Sequence, residues 1–140
     1  MNIRIAVVAT IAAGLAATVA GPAQAVTAAT AQTSATPAVC AAESVAGHPC
    51  VWQEKDTTSV TGRAQVTVSD LQPVFVKVEL KTQKAWGSPW LTVASTTSLR
   101  AGSFQVATPR VVTDLRTIVC ATTAPALDLT QQVTTCTNPY

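Results

Sequence analysis

Alternation of apolar and polar residues is the dominant signal along this chain from residue 50 onward. In VFVKVELK, residues 74–81, Val74, Val76, Val78 and Leu80 fall on one face and Phe75, Lys77, Glu79 and Lys81 on the other. A period of two with one apolar face predicts a half-buried strand. RAQVTV, residues 63–68, repeats it with Ala64, Val66 and Val68. CVWQE (50–54) is expected to be the first strand, and WLTVAS (90–95) and SFQVA (103–107) are β-rich. DLRTIVCA (114–121) sets Leu115, Thr117, Val119 and Ala121 on one side, and Leu127, Leu129 and Val133 recur near spacing two in the last segment. Turn signals stand between these runs at Gly87-Ser88-Pro89 and Ala101-Gly102, and Pro73, Pro89, Pro109 and Pro125 fall at strand boundaries. The pattern predicts an all-β fold, a single antiparallel β-sandwich of about seven strands. No amphipathic helical period and no internal repeat interrupts it.

The first residues read differently. MNIRIAVVATIAAGLAATVAGPAQA has a basic start at Arg4, an apolar run from Ile5 to Ala20, and Ala23-Gln24-Ala25. This is the three-part pattern of a secretory signal peptide over residues 1–25. The apolar run is short for a membrane-spanning helix, and no basic stop-transfer flank follows it. Residues 26–38, beginning VTAATAQTSATP, carry no charge and no aromatic side chain. Such a segment buries too little to offset its ordering entropy, so a flexible Ala/Thr-rich leader is expected, with the β-sandwich domain over 39–140. TTCTNPY at the end is neither a hydrophobic tail nor a basic cluster, which predicts a secreted, extracellular product with no membrane attachment after signal cleavage. Nine Lys and Arg against seven Asp and Glu give a net charge of +2, no electrostatic footprint for nucleic acid or anionic lipid.

Secretion gives the four cysteines their meaning. In an oxidising compartment Cys40, Cys50, Cys120 and Cys136 are expected to form two disulfides. Of the three pairings, Cys40–Cys50 with Cys120–Cys136 closes two short local loops, and the nested alternative is Cys40–Cys136 with Cys50–Cys120. Zinc ligands usually come in pairs two to four residues apart, a spacing these cysteines lack, so no metal and no cofactor is expected.

The run VKVELKTQKAWGSPWLTVASTTSLRAGSFQVATP (76–109), followed by LRTIVC (115–120), resembles immunoglobulin-like modules of small actinobacterial secreted proteins. The matching residues are Val76, Val78, Leu80, Trp90, Val93, Ala94, Gly102, Ser103, Phe104 and Arg116. The resemblance implies an immunoglobulin-like sandwich and secretion, and it implies no activity.

Candidate chemistry is sparse. His48, the one histidine, sits in CAAESVAGHPC near Ser44 and Glu43, without a nucleophile elbow; a solvated loop residue is expected and no catalytic residue is assigned. The carboxylates are scattered and expected at the surface. Trp90 is expected in the core and Trp52 against the Cys40–Cys50 disulfide. Trp86, in the turn QKAWGSPW, is either folded back on the sheet or exposed as a contact for a protein or a carbohydrate. The expectation is a monomeric, non-enzymatic extracellular binding or structural protein. Its partner would be an extracellular protein or a cell-wall glycan, with Trp86, Glu43 and His48 as possible contacts. The alternative is an inhibitor of a secreted hydrolase that presents Glu43–His48 as an extended, disulfide-bounded loop.

Overall fold

The run VFVKVELK lies within a strand, β5 (Val74–Gln83), that is hydrogen-bonded on both sides. A computed structural model describes residues 32–69 and 71–140, so the expected signal peptide lies outside the described residues. Val74, Val76, Val78 and Leu80 are fully buried, as the alternation predicted. The flanking partners of β5 are β6 (Leu91–Arg100) and β9 (Arg116–Pro125), and β9 in turn pairs with β10 (Val133–Cys136). All pairs are antiparallel, giving a sheet of order β10-β9-β5-β6.

The second sheet is built on β3 (His48–Lys55) and β4 (Ser59–Thr67), with β7 (Phe104–Ala107) on the far side of β4. Three two-residue strands complete it. These are β1 (Ser34–Ala35) and β2 (Val39–Cys40) on β3, and β8 (Val111–Val112) on β4. Val51, Val60, Ala64, Val66, Phe104 and Val106 from this sheet meet Val74, Val76, Val78, Leu80, Val119 and Ala121 from the other in one core. The result is an all-β, two-sheet, sandwich-like fold. Its core is mostly valine, which suits strands because branched side chains pack well on a pleated surface.

The sheets pack tightly at Gly62. A Cβ added there would stand 2.8 Å from a Val119 methyl across the core. The sheets are also tied by one polar residue. Gln53 is fully buried on β3, and its amide donates to Thr137 Oγ1 at 2.8 Å and to the Thr117 carbonyl at 3.2 Å, while accepting from Thr117 Oγ1. A buried amide left unpaired would cost several kcal/mol; paired this way it fixes how the two sheets close.

Several expectations are corrected. The leader is paired at its C-terminal end, where Ser34-Ala35 lies against Glu54-Lys55 and Thr36 Oγ1 accepts from Gln53 N at 2.9 Å. Backbone pairing requires no large side chain, so composition understated it. Leu127 and Leu129 are not strand residues. Leu127 is 88% exposed, in a turn organised by Asp128, whose carboxylate accepts from Thr130 N at 3.0 Å and from Gln131 Nε2 at 2.7 Å. Local side-chain to backbone bonding of this kind overrides a weak alternation. Trp90 precedes β6 and is half-buried outside the core.

Candidate functional site

At the end of β5 the chain turns through Ala85–Ser88. Gly87, at φ +78°, takes the left-handed conformation the turn needs. Ser88 closes the turn with its backbone N on the Ala85 carbonyl at 3.1 Å and its Oγ on the same carbonyl at 2.7 Å. Trp86 sits at the tip and is 85% exposed. The folded-back arrangement is thereby corrected: a two-sided turn of this size leaves the indole no sheet surface to cover.

The indole is nonetheless held. Gln83 Nε2 donates to the Ser88 carbonyl at 2.8 Å, and Arg116 Nη1 donates to Gln83 Oε1 at 2.9 Å. Gln83 and Arg116 are directly opposed across the β5–β9 ladder. That relay sets the Arg116 guanidinium 4.1 Å from the Trp86 ring centroid and 6.0 Å from that of Trp90. Each cation–π contact at such a site is worth about 0.5–1 kcal/mol. Beside the two rings runs β6, an open sheet edge of ten residues with no charge before Arg100 and with Leu91, Val93 and Leu99 exposed. The other edge strands among the described residues have four residues or fewer.

The second candidate region lies at the other end of β5, about 30 Å away along the strand. Val45 of the 40–50 loop and Val74 at the start of β5 line one shallow groove there. Cys40 and Cys50 are opposed residues of β2 and β3 and are disulfide-bonded, so this loop is closed locally. It is not an extended segment. Ser44 and Gly47 exchange backbone bonds of 3.2 and 2.9 Å, the Ser44 hydroxyl donates to the Gly47 carbonyl, and Ala46 and Gly47 are buried. The extended Glu43–His48 bait expected of an inhibitor is therefore absent, because short-range turn bonding has consumed its backbone groups. Glu43 is exposed and accepts from Ser69 Oγ at 3.3 Å. His48 is half-buried on β3, on the same outer face as Cys50 two residues on, and Cys40 lies across from Cys50. An imidazole nitrogen and both sulfurs lie within 4.8 Å of one another. Trp52 is on this face too, its Nε1 directed at Glu54.

A scan against protein-family models, a search of curated proteins and a search of solved structures each return no match. Ser44 is committed to its turn, which leaves His48 without a nucleophile there. Glu54 pairs with Arg63 at 2.9 Å, Asp56 with Arg110 at 3.7 Å, and Glu79 with Lys77 and Lys81 at 3.0 and 3.4 Å. Burial would raise the Glu79 carboxyl, but hydrogen bonding and attraction from the two lysines outweigh it and hold the group below its ordinary value. Sequence reasoning reached Trp86 but missed Gln83 as a brace, and it knew Arg116 only through a resemblance. Both roles come from a cross-strand register between residues 33 apart, which no local pattern encodes.

Proposed function

We propose that this chain is a secreted, non-enzymatic binding module that recognises an extracellular protein through the Trp86 end of the β10-β9-β5-β6 sheet. The observation that carries the reading is Trp86, 85% exposed yet fixed by the Ser88–Gln83–Arg116 relay. A large apolar side chain held rigid in water adds little to the fold. It loses little entropy on binding, and tryptophan and arginine are the residue types that dominate interface energetics. The adjoining β6 edge supports a protein partner, since alternate residues of an edge strand leave N–H and C=O groups free for an added strand. Two disulfides on a small all-β chain fit an oxidising, extracellular setting.

The strand order fits the immunoglobulin-like sandwich that the resemblance implies. Without the two-residue strands, one sheet runs β3-β4-β7 and the other β10-β9-β5-β6, so the chain crosses from the first sheet to the second after β4 and again after β7. Sandwiches of that kind use such crossings.

The test is retention of the purified protein on immobilised extracellular proteins and on insoluble cell-wall polysaccharide, for the native chain, Trp86→Ala and Trp52→Ala. The reading expects retention on protein that Trp86→Ala weakens by about tenfold or more and Trp52→Ala leaves intact. Trp86-dependent retention on polysaccharide alone would move the assignment to a glycan. Equal retention of all three would overturn it.

A further inference from the structure

We propose that Cys40–Cys50 is an exchangeable disulfide: a site at which a low-molecular-weight thiol opens the cystine and is carried on Cys40 as a mixed disulfide, with His48 positioned to hydrogen-bond the leaving sulfur.

Three observations converge on it. Cys40 is exposed, whereas Cys120 of the other cystine is only 5% exposed. Attack on a disulfide needs access to one sulfur, and the exposed residue of the two cystines is Cys40, Cys50 and Cys136 being half-buried and Cys120 buried. Cys40 belongs to a two-residue strand at a sheet edge, so its departure from Cys50 breaks little pairing. Cys50 sits instead in the eight-residue β3, which stays paired with β4. Lastly, His48 shares the outer face of β3 with Cys50, and its ring nitrogen lies within 4.8 Å of both sulfurs. No histidine or carboxylate is grouped in this way with both sulfurs of the second cystine among the described residues.

The chemistry balances with the thiol as reductant. A thiolate RS⁻ forms a bond to Cys40 Sγ as the Cys40–Cys50 S–S bond breaks, and the electron pair leaves on Cys50 Sγ. The His48 imidazole, within 4.8 Å of that sulfur, can donate an N–H hydrogen bond to it as charge develops, and the thiolate then takes a proton from solvent. A second RS⁻ attacks the mixed disulfide and releases RSSR, and the Cys40 thiolate takes a proton from solvent. The sum is two thiols oxidised to one disulfide and one cystine reduced to two thiols. Stabilising the leaving thiolate is what accelerates the first step.

The test treats the native full chain with graded glutathione, quenches by alkylation and maps the peptides. Cys40 and Cys50 should be labelled at a glutathione concentration about tenfold or more below that needed for Cys120 and Cys136, with the glutathione adduct on Cys40. His48→Ala and His48→Gln should both slow that opening, by about tenfold, and leave the second cystine unchanged. Simultaneous opening of both cystines, an adduct first on Cys120 or Cys136, or histidine variants that open at the native rate would each overturn the proposal.

Discussion

The two cystines occupy formally equivalent places and differ in nearly everything around them. Each joins directly opposed residues of neighbouring antiparallel strands, and each lies outside the valine core. Cys120–Cys136 is set in the four-stranded sheet. There Cys120 is buried and opposes Glu79, whose carboxylate is paired with Lys77 and Lys81. Cys40–Cys50 stands at the rim of the other sheet, half in water, beside a histidine. The same bond is thus a fixture in one place and addressable in the other. Local chemistry around a cystine, more than the crosslink itself, decides which.

The largest expected effect separates them by stability. Replacing Cys120 and Cys136 by Ala should cost about 3–5 kcal/mol, since crosslink and buried packing are lost together. Gln53→Leu, which leaves the Thr117 and Thr137 hydroxyls without the amide they share, should cost about 2–3 kcal/mol. Replacing Cys40 and Cys50 by Ala should cost about 2–3 kcal/mol, essentially the loop-closure term alone. Chemical denaturation of the three variants gives these values, and a Cys40/Cys50 variant less stable than the Cys120/Cys136 variant would break the comparison.

A smaller effect probes the ion pairs of Glu79, the residue opposite Cys120. Glu79 has its carboxyl held below the ordinary value when folded, so its stabilisation is full above the unfolded value and is lost as pH falls through the folded one. Glu79→Gln should cost under about 1 kcal/mol at neutral pH and should flatten the acid limb of stability against pH. Smallest of all, Trp86→Ala should change the unfolding free energy by no more than about 1 kcal/mol, the worth of its contact with Arg116. Such a variant, stable yet defective in retention, separates a binding residue from a packing one.

How much of this was legible beforehand follows from the range of the interaction. The buried face of β5 and the inward residues of β4 and β9 were readable because alternation is local and burial enforces it. Of the three pairings that four cysteines allow, chain proximity favoured the local one that the structure holds. Leu127 and Leu129 misled because a turn built on Asp128 outweighs two leucines at spacing two. Nothing in CAAESVAGHPC announced that Ser44 and Gly47 close on each other, which turns an apparent bait loop into a compact hairpin tip. Nothing in CVWQE marked Gln53 for burial, and its partners lie 64 and 84 residues away. Contacts of that range belong to the register between sheets and leave no mark on the local pattern.

The most direct measurement is non-reducing peptide mapping of the native protein by mass spectrometry. The account predicts two crosslinked species, Cys40 with Cys50 and Cys120 with Cys136. A Cys40–Cys136 or Cys50–Cys120 crosslink would contradict it, because the two environments compared above would then belong to bonds that tie the sheets together.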